Sequence, residues 1–338
     1  MNCKQKLNMF VTIISVILSL AFLVYFFWGW ELLWSLVILS FYILILYGIV
    51  YLYKKIRKQE KPFLKPFFVR WYIRIARLFL LFLIVMFLFT KYQNEINPVS
   101  TPMYVLSNGE KNLKFQTVMH IGTAKYYSQL LSLLKESKEK GYVLYYEGVV
   151  LDDEKKADKF NTALGVNFGV SFYESFSKLY GLDYQDNSMF MEVVNDKDIN
   201  VDIPISKVID IYEQKYGEIV YDESKVLNVT DVMIQRLASM KEHQLMLLRT
   251  VFKSSINFMV KHDKIQSQIV NLLQLNRIID IILEERNDYL ANYILTSDDK
   301  NIHVMYGKLH FKGVLERLQK ADPRWKIVKI IDAYPTVE

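Results

Sequence analysis

The sequence predicts an α/β protein: three N-terminal transmembrane helices, then a mixed or parallel sheet with flanking helices and a long helical insertion. Three observations carry this expectation. Long charge-free apolar runs fill the chain up to about residue 92, strand-like and amphipathic segments alternate from Leu113 onward, and residues from about Val229 to Ile294 place Leu, Ile and Met at three- and four-residue spacing without proline.

Met9 to Trp30 and Leu32 to Tyr53 carry no charge and are separated only by Glu31. As one helix at about 1.5 Å per residue this run would extend roughly 65 Å, about twice the hydrocarbon core. It must fold back, which gives spans over about 9–30 and 32–53 joined by a tight turn at Trp28-Gly29-Trp30. A third span covers about 73–92, with Leu78 to Thr90 uncharged and Arg74, Arg77 and Lys91 placed to snorkel. Nine Lys or Arg against the single acid Glu60 lie between Lys54 and Arg77, and Lys4 and Lys6 precede the first span. The positive-inside bias puts both segments on the cytoplasmic face. The chain is then a multi-pass cell-membrane protein with a cytoplasmic N-terminus and an extracytoplasmic C-terminal part. No small-residue cleavage site precedes Trp28, so the first span reads as an uncleaved helix rather than a signal peptide.

The net charge of +6 is concentrated in that basic loop, where it serves topology and anionic lipid. The bilayer is therefore the expected partner, and nucleic acid is not. Cys3, the single cysteine, falls on the cytoplasmic side. The exported part thus has no disulfide, thiolate nucleophile or zinc-thiolate site.

A linker, 93–112, with Asn97-Pro98 and Thr101-Pro102, leads into the exported domain, 113–338. Leu113 to Ile121 reads as a strand, Gly122 as a turn, Thr123 as an N-cap and Ala124 to Lys140 as a helix closed by Gly141. Tyr142 to Val150 supplies the next strand, completing a βαβ unit whose two strands share one carboxyl edge. Phe168 to Tyr180 reads as a helix, Met189 to Asn195 as a strand, and Asp202 or Ser206 starts a short helix before Tyr216. Near the end the design recurs: a strand over Ile302 to Tyr306, Gly307, a helix ending near Lys320, and a strand over Trp325 to Ile331. Laying Gly307 on Gly122 aligns the two units without a gap and sets His310 against Lys125.

Hydrolysis without a thiol or serine ordinarily uses a metal held by about three His or carboxylate ligands. Of five histidines, His243 and His262 fall in the helical region as solvated or packed residues, and His303 starts a strand at the end away from the cleft. His120 and His310 lie beside glycines at strand ends, and each glycine allows a backbone with positive φ. Glu147 ends an apolar run at the same edge, where burial demands a partner. In Glu284 to Asn287, Glu285 offers a base or outer ligand and Arg286 an anion clamp, against the plain reading of an exposed helical ion pair.

This set resembles the TraB/PrgY/GumN family, which includes the Tiki proteases and is related to the erythromycin esterase/ChaN-like superfamily. The resemblance runs from about Leu113 to Ile331 through GTAKYY, YYEGV, NVDI, EERN and YGKLH. It implies a membrane-tethered hydrolase, a peptidase acting on an extracytoplasmic peptide or protein, using a divalent metal ion such as Mn, Co, Zn or Fe. It implies roles for Glu147, Glu285, Arg286 and His310, with Asn200, Asp202 and Asn287 lining the cleft. The chain departs from the family at the first turn, where Lys125 stands in the place of a histidine; His120 either substitutes for that ligand or marks a site that has lost it. The alternative function is a catalytically degenerate binding protein, with Lys125 and Arg286 forming a cationic pocket that sequesters a peptide or another anion.

Overall fold

The computed structural model describes the chain apart from residues 1–2, 27–29, 61, 168–169, 223–225, 227–228 and 273–274. The turn expected at Trp28-Gly29 and the helix start expected at Phe168 lie outside the described residues. The chain divides into two compact units, Met1–Lys91 and Tyr92–Glu338.

The first unit contains α1 (Cys3–Phe26), α2 (Trp30–Ile56) and α3 (Leu64–Lys91). Ser19 donates to the Ala76 carbonyl at 3.1 Å and Phe22 meets Phe79 edge-on, so α1 lies against α3. Two stretches, Val37–Ile56 and Leu64–Ile96, are long and apolar enough to cross a membrane. The expected number was three. The remaining helix, α1, is 24 residues long, and its described apolar stretch is Phe10–Ser19. The third expected span gains length instead, because its helix begins at Leu64, with Pro66 tolerated in the first turn.

The second unit is a mixed α/β structure. Its six-stranded sheet has the order β6 (Ile199–Asn200), β4 (Val143–Tyr146), β7 (Asn301–Gly307), β2 (Asn112–Val118), β1 (Met103–Ser107) and β8 (Lys326–Ile331). β6, β4, β7 and β2 run parallel, and β1 is antiparallel to both β2 and β8. Residues 93–112 are therefore not all linker: MYVLS forms β1, with Met103 and Leu106 buried.

Period-two alternation distributes the strands between two helical layers. On one face Phe115, Tyr145, Ile302, Val304 and Tyr306 pack against Leu290, Ala291 and Ile294 of α12 (Asn276–Thr296) and Val314 and Leu318 of α13 (His310–Ala321). On the other, Val118, Leu144 and Met305 pack against Tyr126, Leu130 and Leu134 of α4 (Ala124–Glu139). Replacing Leu130 or Leu134, both fully buried, by alanine removes about 2–5 kcal/mol. Thr123 caps α4 by accepting from the Tyr126 N–H, and Gly141, at φ +77°, ends the turn that follows.

Strand β2 stops at Val118 rather than Ile121. Beyond it the Lys308 N–H takes the Val118 carbonyl, the Met119 N–H donates to the Tyr126 hydroxyl, and the Tyr127 hydroxyl donates to the Met119 carbonyl. Side chains from the first turn of α4 thus replace the ladder. Ile121–Gly122, β3, instead pairs with β5 (Asp183–Tyr184), which follows α6 (Val170–Tyr180). The strand expected at Met189–Asn195 is absent too. Ser188–Met191 is a short helix, α7, begun by a Ser188 N–H bond to Asp186 and anchored by buried Phe190, and β6 supplies the strand downstream. β4 ends at Tyr146, four residues earlier than expected.

Helices α5 (Glu154–Leu164) and α8 (Ile205–Tyr216) join the first part of α12 around Phe160, Ile203, Val208 and Ile281. The helical stretch expected from Val229 appears as α9 (Val229–Ala238), α10 (Glu242–Val260), α11 (Asp263–Leu272) and α12.

Candidate functional site

The parallel strands send their carboxyl ends to one edge of the sheet, where open α/β folds bind ligands. His120 follows β2 by two residues, Glu147 follows β4 by one, Asp202 follows β6 by two, and His310 follows β7 by three. Arg286 and Asn287 project from α12.

Glu147 is the centre. The Gly307 N–H donates to its Oε2 at 2.7 Å and Arg286 Nη1 to its Oε1 at 3.0 Å. Burial opposes its ionisation; the facing His310 and His120 rings, Arg286 and the Gly307 N–H outweigh that penalty and hold the carboxyl below its ordinary value. A Cβ on Gly307 would lie 3.3 Å from Glu147 Oε2 and 3.5 Å from His310 Cδ2. The glycine therefore leaves the space across which those side chains face each other. Neither Gly307 nor Gly122 has positive φ, so the expected backbone reason gives way to a steric one; at Gly122 a Cβ would come within 2.6 Å of the Tyr126 ring.

Arg286 bridges two carboxylates. Its Nε lies 3.1 Å from Asp202 Oδ1 but is too poorly aligned for a hydrogen bond, so the contact is an ion pair only. The Tyr306 hydroxyl lies between the Val201 carbonyl, at 2.8 Å, and Asp202 Oδ1, at 3.3 Å. Asp202 Oδ2 is buried without a hydrogen-bond partner among the described residues. Burial pushes the Asp202 carboxyl up to about 6, with Arg286 pulling it down and the Glu147 charge adding to the rise.

The two histidines are held alike. His310 Nδ1 lies 2.9 Å from Asn287 Oδ1, and His120 Nδ1 lies 3.1 Å from Gln185 Oε1. An amide oxygen only accepts, so each Nδ1 carries a proton. Burial lowers His310, Glu147 pulls it back, and Arg286 and His120 add to the lowering, leaving it at about 4 and neutral near pH 7. Asn287 reaches it because α12 and α13 cross closely at Gly313, where a Cβ would meet Asn287 Nδ2 at 2.1 Å.

Five residues named from the sequence therefore meet, Glu147, Asp202, Arg286, Asn287 and His310, and a sixth, His120, is near enough for its charge to act on Glu147 and His310. Asn200 adjoins them, donating to the Gly148 carbonyl at 2.9 Å, but its side chain is exposed. Glu285 and Lys125 do not join. Glu285 is half-buried, Lys125 is exposed at the start of α4, and neither makes a hydrogen bond or ion pair among the described residues. The gap-free alignment of Gly307 with Gly122 fails for the same reason: in the sheet Gly307 pairs with Val118. His120, two residues beyond Val118, is thus the nearer counterpart of His310. Sequence reasoning missed Tyr173, Gln185 and Tyr306. The Tyr173 ring meets His120 with centroids 4.7 Å apart and planes tilted by 48°, and its phenol is raised by burial and by the Glu147 charge. Tyr306 was legible as the polar-tipped aromatic just before Gly307, whereas Gln185 gave no signal.

The donor chemistry fits a divalent metal: two imidazoles anchored through Nδ1 and an ionised carboxylate. Their convergence is incomplete, since both Glu147 oxygens are engaged and no group of three or more His, Cys, Asp or Glu side chains among the described residues meets at one metal position. Compared with known proteins, the chain matches no family model, no curated protein and no solved structure.

Proposed function

We propose that the chain is a membrane-anchored hydrolase of the TraB/Tiki type, a peptidase acting on an extracytoplasmic peptide or protein, with His310, Glu147 and His120 as ligands of a divalent metal ion. The observation that carries this reading is the gathering of Glu147, two imidazoles held through Nδ1 and Arg286 at the carboxyl edge of the parallel strands. The metal, when bound, supplies an activated water. Arg286, fixed by Glu147 and Asp202 in a buried setting, steadies negative charge developing on a substrate carbonyl. Asp202, its carboxyl pushed up to about 6 by burial, orients Arg286 through the ion pair at Nε. Asn287 holds His310 in the tautomer the site requires. Three spans with a cytoplasmic N-terminus belong to the same proposal, and the nine cations between Lys54 and Arg77 support it.

The cationic-pocket alternative draws less support, because Lys125 is exposed and the Arg286 charge faces two carboxylates. Cleavage of a peptide library by the purified full-length protein tests the proposal. Expected is cleavage that stops on chelation, resumes with added metal and falls at least about 100-fold in His310→Ala; activity indifferent to both treatments would refute it.

A further inference from the structure

The His120 ring, like the Glu147 and Asp202 side chains, comes from neither a regular strand nor a helix. It follows Val118, where β2 has ended, and sits just before the two-residue strand β3. A loop side chain needs an external support to stay within ligand or proton-transfer geometry. That support comes from a segment about 65 residues downstream. The Gln185 N–H donates to the His120 carbonyl at 2.8 Å, while Gln185 Oε1 accepts from His120 Nδ1 at 3.1 Å. One residue thus holds both the backbone and the ring of the histidine.

In the structure the Gln185 Nε2 donates to Asn187 Oδ1 at 2.8 Å, and its carbonyl end faces the imidazole. On its other side the His120 ring meets Tyr173, with ring centroids 4.7 Å apart. Tyr173 and Gln185 belong to one hairpin, α6 followed by β5, and β5 is paired to β3 directly beside His120. The hairpin is anchored away from the site by Tyr180 edge-on to Phe252 and by Arg249 Nε donating to the Lys178 carbonyl at 3.1 Å. A rigid base therefore carries both groups that touch the histidine.

We propose that Gln185, itself hydrogen-bonded to Asn187, is the positioning residue of His120: it sets the Nδ1–H tautomer and leaves Nε2 as the open nitrogen of the site. It does for His120 what Asn287 does for His310, and the two supports come from unrelated elements, α12 and the β5 hairpin. The assignment rests on the site reading above, in which His120 takes the place of a ligand missing at Lys125. It adds that the replacement came with its own support, since an unsupported loop imidazole would sample both tautomers and several rotamers.

The test is a spectroscopic one on the full-length protein in detergent micelles with 15N-labelled histidine. Ring nitrogen shifts distinguish the two neutral tautomers without reference to hydrolysis. In the parent protein His120 is expected as the Nδ1–H form alone; Gln185→Leu is expected to give a mixture, and Gln185→Glu, which keeps an acceptor, to restore the single form. The signals of His303 and His310 serve as the fold control in each variant. With Zn2+ alone as the probe, Gln185→Leu is expected to bind about 10–100-fold more weakly, the usual cost of losing a partner behind a metal ligand. His120 signals unchanged by Gln185→Leu would overturn the assignment. A tautomer shift in a protein that cleaves no peptide would uphold it while removing the hydrolase reading.

Discussion

At the scale of single residues, two buried histidines show how position in the sheet decides chemistry. His303 and His310 share one strand-helix unit, yet His303 lies at the amino end of β7 and His310 beyond its carboxyl end. His303 is fully buried, neither ring nitrogen has a hydrogen-bond partner among the described residues, and burial, with Lys114 and Lys138 adding, pushes it down to about 3. Its value in the unfolded chain is the ordinary 6.5. A base lowered on folding contributes fully above its unfolded value, and that contribution is lost as pH falls from about 6.5 toward 3. Below pH 6.5 the parent protein should therefore lose stability more steeply than His303→Leu, by about 1.4 kcal/mol per pH unit. Denaturant midpoints measured from pH 7 to 5 provide the check, and equal acid slopes would contradict the assignment. The sequence placed His303 away from the cleft from strand direction alone. It could not reveal the unpartnered ring, because Lys114 and Leu144 become its neighbours only through sheet pairing.

At the scale of elements, legibility followed the strength of local periodicity. The apolar stripe of α12, the Thr123 cap of α4 and the β7-Gly307-α13 unit were all readable, since each draws on one short window of sequence. β6 is only two residues long and owes its existence to pairing with Tyr145 and Tyr146, so no pattern announced it. β1 was hidden between prolines, and Met189–Asn195 carried a strand-like composition that packing of Phe190 against α4 overrode. The hairpin that supports His120 is of the same kind, a tertiary arrangement with no local signature. α10 offers a test of such long-range ties. Its fully buried Asn257 accepts from the Val99 N–H at 3.0 Å and the Thr336 hydroxyl at 2.8 Å, and donates to Asn94 Oδ1 at 3.0 Å. Asn257→Ala strands the Val99 N–H and should cost about 1–3 kcal/mol. Chemical unfolding should show that loss together with faster amide exchange at Val99; unchanged exchange there would mean the tie is unimportant.

At the scale of the whole molecule, the number of crossings decides which compartment holds the site. Two stretches satisfy the length requirement among the described residues, and α1 is the element in question. Two crossings leave both ends of the chain on one side, whereas three separate them. Cys3 is the single cysteine, so it reports one end, and Lys326→Cys on the exposed strand β8 reports the other. With three crossings, an impermeant maleimide applied to intact cells labels position 326 and spares Cys3. Labelling of both or neither would establish an even number of crossings. The count of spans rests on α1, which runs from Cys3 to Phe26 with its described apolar stretch at Phe10–Ser19.

The central claim is that His120, Glu147 and His310, drawn from three distant parts of the chain, act as one site. Calorimetric titration of the full-length protein with Zn2+ tests it most directly. One ion bound per chain is expected, with His120→Ala, Glu147→Gln and His310→Ala each weakening binding at least about 10–100-fold and no variant binding a second ion. Binding that survives all three substitutions, or no specific binding by the parent protein, would contradict the claim.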